Sequence, residues 1–490
     1  MESKDISLQA IYSSTKQDFS DAEKMLIAKA YDYAQKAHLS QKRNSGEPYF
    51  NHVVEVAKNC ASLGGDATTI AGALLHDTIE DTTTTEEDIR DLFGEEILFL
   101  VSGVTKLGTL KYQGVERHAE SMRKFFIALA EDVRVLIIKL ADRLHNIQTL
   151  EHVRPDKQKR IAVETIGVYA PLAGRLGMGK LKGKLEDYAF PFAYPEEYAS
   201  TKTLMEELIP EATQVVTMIK KEVEEILESF SITGTVEARA KHIYSLYRKL
   251  LKYNMEKEKI HDIVALRIIV PTVADCYQVL GLVHMTWKPV PGRIKDWIAV
   301  PKPNGYKSLH TTVMTEHGVV EIQIRTAEMN TDAELGIASH LVYKEDTAGA
   351  GLSERQKTAW LAQLKELSAL AANSHDIDEL KLDFFNHRIF VFTPKGDVVD
   401  LPENACAIDF AYAIHSDIGD TVSSVKINKK MSSLDTVLRN GDIVEILTSK
   451  NAHPNTKWLE YTKTSFARRR IRAYVEEHGG LVGQFKEKNS

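Results

Sequence analysis

The segment His76-Asp77-Thr78-Ile79-Glu80-Asp81 sets an imidazole and three carboxylates within six residues. Ahead of it, Asp66 to Leu75 begins with a residue suited to capping a helix and carries apolar residues at helical spacing, so the motif is expected to ride on a helix. His76 would then lie over Glu80, and Asp77 over Asp81, each pair four residues apart on one face. A His beside an Asp suits a borderline divalent metal, and an acidic pair one turn on can polarise a metal-bound water. A His-Asp pair on a buried helix also reads as a hydrogen-bonded core pair, since buried polar groups need partners. Other segments must decide.

Two do. The run Arg43-Asn44-Ser45-Gly46-Glu47-Pro48-Tyr49-Phe50-Asn51-His52 offers a second His after a Gly-Pro turn. Val135 to Leu150 reads as an apolar helix interrupted by Asp142, Arg143, His145 and Asn146, with Asp142, Asn146 and Thr149 on one face at steps of four and three. Two His and two Asp from three helices make a four-ligand site with room left for water. This constellation resembles the HD superfamily of metal-dependent phosphohydrolases.

A second constellation lies downstream. Glu237 to Lys249 looks like a strand end entering a helix, with Lys241, Ser245 and Lys249 at successive steps of four beside the positive helix end. That is a polyphosphate cradle or the solvated face of an amphipathic helix. Arg293-Ile294-Lys295-Asp296 leads into Pro301-Lys302-Pro303-Asn304-Gly305-Tyr306-Lys307-Ser308-Leu309-His310, a loop presenting two lysines, an aromatic face and a His. A tyrosine beside basic groups suits a purine base over its phosphates, although a turn tyrosine more often packs on its own domain. Asp262 precedes a strand and Glu321 sits on another, so two carboxylates can meet at one magnesium, as phosphoryl-type transfer requires. No Walker-type glycine loop is present in the sequence.

The elements that must hold these groups follow from length and pattern. At 490 residues, two to four domains are expected. With 43% apolar and 27% charged residues the composition is that of a soluble globular protein. A net charge of −7 argues against coating nucleic acid by bulk electrostatics. Cys60, Cys276 and Cys406 are scattered singles, giving neither a disulfide framework nor a zinc pair. Neither an apolar signal core nor a membrane-length apolar run is seen, so the expected compartment is the cytoplasm, without a membrane partner.

Residues from Ser20 to about Tyr194 read as nearly all helical, with breaks at Gly64-Gly65 and Gly174 to Gly183. A boundary at Phe190 to Pro195 precedes a helical run from Glu196 to Phe230. Val264 to Val270 suits a buried strand. Val319 to Thr326 alternates, with Val320, Ile322 and Ile324 on one face and Glu321, Gln323 and Arg325 on the other. A loop over 346–352 and a helix over 354–382 are expected before a small β-rich module that begins at Ile389 and runs through Ile443 to Leu447. Arg468-Arg469-Arg470 follows on a helix-like tail and reads as a solvated face before a nucleic-acid contact.

Taken in order, Arg43…His52, His76-Asp77…Glu80-Asp81, Asp142…Asn146…Thr149, Arg239…Lys249, Asp262, Arg293 to Asp296, Asn304-Gly305-Tyr306, Glu321 to Arg325 and the Ile389 to Gly396 start of a TGS module resemble the long, bifunctional RelA/SpoT (Rel) enzymes, which make and destroy ppGpp and pppGpp. The resemblance implies a multidomain α and α/β chain. Its parts would be an all-α HD-type hydrolase (1–195), an α/β nucleotidyltransferase-like synthetase (196–345), a helical linker (346–385), a β-grasp TGS domain (386–448) and a basic helical tail (449–490).

It further implies that His52, His76, Asp77 and Asp142 bind manganese and that Glu80 and Asp81 activate the water that removes pyrophosphate, while Arg43, Asn146 and Thr149 hold the guanosine. In the synthetase, Asp262 and Glu321 would serve magnesium and the acceptor 3′-hydroxyl. Arg239, Lys241, Ser245, Lys249, Lys302 and His310 would hold phosphates of ATP and GDP or GTP, and Tyr306 would stack on guanine. Arg293, Lys295, Asn304 and Gln323 complete the implied substrate contacts. The basic Arg293-Ile294-Lys295-Asp296 favours both activities over synthesis alone. The TGS module implies a contact with uncharged tRNA on the ribosome.

The sequence departs from the family pattern at Asn44 (usually basic), Asn330 (usually His), Ser339-His340-Leu341 (usually Ala-His-Trp) and Ala413-Ile414-His415 (usually a His pair). These leave two rival readings open: a hydrolase-dominant enzyme with weak synthesis, and a ribosome- or tRNA-binding sensor with regulatory nucleotide pockets.

Overall fold

A computed structural model describes residues 2–15, 18–108, 132–256, 264–302, 304–336 and 388–484. Asp262, Ser339 to Leu341, the expected loop over 346–352 and the expected helix over 354–382 lie outside the described residues. The chain forms two compact units, Met1–Ser368 and Ala369–Ser490. No described helix is long and apolar enough to cross a membrane.

The first unit opens with helices α1 (Glu2–Ser13), α2 (Asp21–Ala37), α3 (Tyr49–Ser62), α4 (Ala67–Leu75), α5 (Thr78–Asp81), α6 (Glu86–Phe93) and α7 (Glu95–Gly108). Then come α8 (Val133–Gln148), α9 (Pro155–Glu164), a π-helical turn Thr165–Tyr169, α10 (Ala170–Arg175) and α11 (Gly179–Ala193). Ends are set by side chains, as the sequence suggests. Ser20 and Thr85 close capping boxes with Glu23 and Asp88, and Asp66 accepts from the Thr69 amide. Phe50, Val53, Val54 and Ala57 of α3 and Ile70, Leu74 and Leu75 of α4 are buried, which locks the two helices that flank the first site.

One expectation fails here. The His76 to Asp81 motif does not ride on one continuous helix, because α4 ends at Leu75 and α5 is a separate turn starting at Thr78. Asp77 takes φ −101°, ψ −1°, in the sparsely populated bridge region, which swings its carboxyl out of the helical ladder. The Thr78 hydroxyl donates to the Leu75 carbonyl (2.6 Å), satisfying an oxygen the broken helix leaves over. The Asp77 to Asp81 pairing survives through the Asp81 amide on the Asp77 carbonyl (2.9 Å).

Helix α12 (Pro195–Ser229) follows α11 after a single residue, so the expected boundary at Phe190 to Pro195 is a joint between two helices. Next come β1 (Thr235–Ala240), α13 (Ile243–Lys252), β2 (Val264–Val270), α14 (Val273–Thr286), β3 (Lys288–Pro289), β4 (Lys295–Asp296), β5 (Leu309–Thr315), β6 (Gly318–Thr326) and α15 (Ala327–Leu335). The sheet order is β1-β2-β6-β5-β3, with β4 also on β5; β2 and β6 run parallel and every other pair is antiparallel. Val216, Ile219, Val223 and Leu227 of α12 join Leu266, Ile268, Ile322 and Ile324 in one core, so this helix belongs to the sheet it precedes.

The alternation in β6 divides the strand as expected, but its polar side is not solvated. Arg325 is 1% exposed, because that side of the sheet is the floor of the second site.

The second unit pairs β7 (Arg388–Phe392) with β8 (Val398–Pro402), adds α16 (Ala407–Ile414) and α17 (Ser416–Asp420), and sets β9 (Val422–Ile427) between β10 (Lys430–Ser432) and β11 (Val444–Thr448). Helices α18 (Trp458–Tyr461) and α19 (Ser465–Gln484) complete it. Ala467 and Ile471 of α19 are fully buried with Ile408, Ala411 and Tyr412 of α16, so the tail shares the module's core.

The arginine run is therefore not simply a solvated face. Arg468 donates to the Leu459 and Thr462 carbonyls (3.0 and 3.1 Å), and Arg470 donates to the Ser416 hydroxyl (3.0 Å). Fully buried Asp409 fastens the tail by accepting from the amides of Cys406, Lys463 and Thr464 and from the Thr464 hydroxyl, all between 2.8 and 3.1 Å. Asp409→Ala is expected to destabilise this unit by roughly 2–4 kcal/mol, since several buried donors lose one charged acceptor. Urea unfolding and protease cutting between 455 and 470 would measure it; an unchanged midpoint would refute the role.

Candidate active sites

The first site forms where α3, the turn after α4, and α8 converge. His52 Nε2 lies 3.5 Å from Asp77 Oδ2 and 3.4 Å from Asp142 Oδ1. His76 Nε2 lies 3.0 Å from Asp77 Oδ2 and 4.0 Å from Asp142 Oδ1. Ligand atoms of buried His52, His76 and Asp142 fall within 4.8 Å of one another. All four residues expected to bind metal are thus brought together.

The donor set fits a divalent ion. His76 Nδ1 donates to the Ala73 carbonyl (2.7 Å), which aims Nε2 at Asp77 and Asp142 as the nitrogen available to a metal. Burial opposes charging of His76, yet Asp77 and Asp142 outweigh it and raise its pKa to about 9. Burial likewise opposes ionisation of Asp142, but Lys139, His52 and His76 hold its carboxyl well below the usual range. Two carboxylates and two imidazoles around one point are short of positive charge, which a proton supplies poorly and a divalent cation supplies well.

Behind them, Lys139 binds Asp142 Oδ2 (3.0 Å), leaving Oδ1 toward the histidines. Arg143 reaches Glu164 (3.4 Å) and lies over the Tyr169 ring (4.0 Å), which the π turn presents.

Arg43 sits on a turn closed by its own amide on the Glu47 carbonyl and the Gly46 amide on the Arg43 carbonyl, both 2.9 Å. Gly46 takes φ +87° there, a conformation that favours glycine. Arg43 donates to Asn146 Oδ1 (2.6 Å) and to His145 Nδ1 (2.9 Å), and Asn146 donates to Asp142 Oδ1 (2.5 Å). Thr149 is the C-cap of α8 and donates to the His145 carbonyl of its own helix (3.1 Å).

Glu80 and Asp81 are exposed at the mouth of the site. Desolvation and the neighbouring Asp77 carboxylate raise the pKa of Glu80, as suits a base. Two residues escaped the sequence reading. The Tyr49 hydroxyl donates to Asp77 Oδ2 (2.6 Å) and lies 3.1 Å from Asp81 Oδ2, and His145 Nδ1 is 2.8 Å from His52 Nδ1. Both stand in motifs already singled out, but their roles depend on segments far apart in the chain.

The second site is the polar face of β1, β2, β6 and β5. Glu321 is its centre: Gln323 Nε2 donates to its Oε1 (3.0 Å), His310 Nδ1 lies 3.6 Å from Oε1, and Lys241 Nζ lies 4.0 Å from Oε2. Burial opposes ionisation of Glu321, but His310, Lys241 and Gln323 keep its carboxyl below the usual range. The Tyr306 hydroxyl meets His310 Nε2 (2.7 Å) and accepts from Arg325 (2.8 Å), which also donates to Gln323 Oε1 (2.6 Å).

Lys302 stands over the Tyr306 ring, 4.9 Å from its centroid, in a turn where Gly305 at φ +78° donates to the Lys302 carbonyl (2.8 Å). Burial, with Lys295, Lys182 and Arg325 nearby, lowers the Lys302 pKa to about 8. Burial and Arg267 lower that of Arg239. So many cations around one face favour an anionic, phosphate-bearing ligand.

Several expected contacts are placed differently. Lys241 precedes α13, so it does not share a helical face with Ser245 and Lys249. The positive end of α13 is not open: Asp187 of α11 accepts from the Tyr244 amide (3.1 Å) and meets His242 Nδ1 (2.6 Å). A carboxylate already occupies the place the sequence reading gave to phosphate. Asn304 donates to the Gly174 carbonyl (3.4 Å) and accepts from the Tyr306 amide (3.3 Å), so it shapes the loop. Arg293 and Lys295 are exposed. Asn330, where a His was expected, has a buried Oδ1 without a hydrogen-bond partner.

Comparison with known proteins gives three matches in the same order as these parts: an HD domain over 30–179, the region found in RelA/SpoT proteins over 238–348, and a TGS domain over 389–448. The chain belongs to the RelA/SpoT family. It is 46% identical over 465 residues to the GTP pyrophosphokinase of Myxococcus xanthus, covering 93% of this chain and 61% of that one. It is 44% identical over 458 residues to the guanosine-3′,5′-bis(diphosphate) 3′-pyrophosphohydrolase of Aquifex aeolicus, covering 92% and 64%. The chain thus spans about three fifths of the length of these RelA/SpoT relatives. Among solved structures, small alarmone synthetase 1 of Bacillus subtilis bound to pppGpp matches at a TM-score of 0.25 and 25% identity, over 35% of this chain and 95% of that one.

Proposed function

We propose that this chain both makes and degrades guanosine alarmones, transferring pyrophosphate from ATP to the 3′-hydroxyl of GDP or GTP and hydrolysing (p)ppGpp to GDP or GTP and pyrophosphate. The observation that carries the reading is the presence, in one compact unit, of a buried His52/His76/Asp142 group with Asp77 beside it and a separate cation-lined face centred on Glu321. The names of the two relatives, one for each activity, support it. Incubating the chain with labelled ATP and GDP plus magnesium, and separately with ppGpp plus manganese, tests both halves. Absence of either product removes that half.

In the hydrolase, His52, His76, Asp77 and Asp142 would hold manganese, which supplies Lewis acidity to a water. Glu80 and Asp81 would accept a proton from the attacking water, and Arg43, Asn146 and Thr149 would hold the guanosine. In the synthetase, Glu321 takes the proton of the attacking 3′-hydroxyl, and Glu321 with Asp262 would hold magnesium, which would supply charge neutralisation at the phosphates. Arg239, Lys241, Ser245, Lys249, Lys302 and His310 hold phosphates, with Gln323, Arg293, Lys295 and Asn304 around the nucleotides. The hydrolase spans 1–195, the synthetase 196–345, a linker 346–385, the TGS module 386–448 and the tail 449–490. The orphaned Asn330 oxygen and the filled end of α13 favour, as a second reading, hydrolysis as the stronger activity.

Tyr306→Ala is expected to weaken GDP binding to the synthetase by about 1–3 kcal/mol through lost base stacking, with ppGpp hydrolysis unchanged. Tyr306→Phe keeps the ring but not the His310 and Arg325 contacts, so it separates stacking from loop support. Normal acceptor affinity in the alanine variant would make Tyr306 a packing residue.

The TGS module is read as a sensor for uncharged tRNA on a cytoplasmic ribosome. His415 is exposed but already accepts from the Asp417 amide (3.2 Å). Removing residues after about 383 should shift the ratio of synthesis to hydrolysis severalfold, a bias needing only a few kcal/mol between two states. An unchanged ratio would make the module a passive tether.

A further inference from the structure

His145 stands one residue before Asn146 on α8 and has no part in the chemistry above. Its Nδ1 is approached from two sides, by Arg43 Nη1 at 2.9 Å and by His52 Nδ1 at 2.8 Å. A guanidinium has only donors, so His145 Nδ1 must be an acceptor. His52 Nδ1 must then carry the hydrogen it gives to His145. In the neutral imidazole this leaves the lone pair on His52 Nε2, the nitrogen that faces Asp77 and Asp142 at 3.5 and 3.4 Å. One contact thus fixes the tautomer in which His52 can ligate a metal, as the Ala73 carbonyl does for His76.

The same helical turn works on the other side of the site. Arg43 donates its second nitrogen to Asn146 Oδ1, and Asn146 donates to Asp142 Oδ1. Arg43 is therefore joined to one metal ligand through His145 and to another through Asn146.

We infer that His145 is a positioning residue of the hydrolase site, which holds His52 in its metal-binding tautomer and anchors Arg43 beside it. This rests on the reading of His52, His76, Asp77 and Asp142 as a metal site. A side chain without an acceptor at the Nδ1 position frees the His52 ring to turn or to take the wrong tautomer. An asparagine retains the acceptor, because its Oδ1 falls near where Nδ1 was, whereas a glutamine amide reaches about one bond too far.

The test is manganese(II) binding to the whole chain, followed by the paramagnetic resonance signal of free manganese, for the unmodified protein, H145F, H145Q, H145N and H76A. H145F and H145Q should bind about 10–100-fold more weakly, the range typical of lost outer-shell partners, with H145N within about threefold of the unmodified protein. H145Q keeps the test open where H145F does not fold, and thermal unfolding identifies that case. Unmodified affinity in both H145F and H145Q, or H145N as weak as they are, would overturn the inference. Failure of the unmodified protein to bind manganese, or full binding by H76A, would instead remove the metal-site reading.

Discussion

Asp77→Ala is expected to reduce ppGpp hydrolysis by at least about a thousandfold while leaving pyrophosphate transfer from ATP near its original rate. Asp77 Oδ2 reaches both histidines, 3.0 Å from His76 Nε2 and 3.5 Å from His52 Nε2. On the proposed metal reading its loss removes one negative charge and one ligand, Lewis acidity is worth several kcal/mol, and about 4 kcal/mol is a thousandfold in rate. The fold should tolerate the change. Thr78 still closes the Leu75 carbonyl, and the Tyr49 hydroxyl still has Asp81 Oδ2 at 3.1 Å as an acceptor. Retained synthesis doubles as the folding control, because Glu321 and its partners lie on the sheet. Loss of both activities in a variant with an unaltered thermal transition would mean that the two sites are not separable.

The cluster was legible because it needs only residue types and helical placement: His52, His76, Asp77 and Asp142 could be named without knowing how α3 and α8 cross. What could not be read is anything that depends on that crossing. His145 was in view as one of several polar residues on α8, but its function comes from a nitrogen 2.8 Å away in a residue 93 positions earlier. Tyr49 was likewise visible beside His52, and only the broken helix after Leu75 brings Asp77 and Asp81 to its hydroxyl. That break was itself illegible, because no glycine or proline from Leu75 to Thr78 marks a stop and only the Asp77 backbone departs from helical angles.

The sheet-bearing half of the first unit shows the same boundary. Strand β2 followed from a short apolar run and the two faces of β6 from alternation, yet alternation does not say what covers the second face, so the buried position of Arg325 was missed. The positive end of α13 was correctly placed near Lys241, but the residue that fills it, Asp187, comes from a helix the sequence reading assigned to the other domain. Asn304 is a substrate contact by expectation from its loop alone, and the sequence does not show that its amide also bridges to the Gly174 carbonyl.

Glu321→Gln should be the reciprocal of Asp77→Ala, with synthesis lowered by on the order of 10²–10⁴-fold and hydrolysis unchanged. The amide is nearly the same shape and keeps an oxygen for the Gln323 donor, so the floor of the sheet need not rearrange. What it lacks is the charge held in place by His310 and Lys241 and the basicity toward a 3′-hydroxyl. The loss should therefore fall on kcat, with nucleotide KM values changed by less than about tenfold, because phosphates are held by the surrounding cations and not by the carboxylate. A large rise in KM at unaltered kcat would show that Glu321 orders Lys241 and His310 for binding and that the base lies elsewhere. Full synthesis by the variant would remove Glu321 from the chemistry altogether. The separate rate effects of the two substitutions then measure how independent the two sites are. If Glu321→Gln also slowed hydrolysis, the contact of Asp187 with His242 and Tyr244 would be the first place to look for the coupling, since it joins a helix of the hydrolase half directly to the strand-helix turn that carries Lys241.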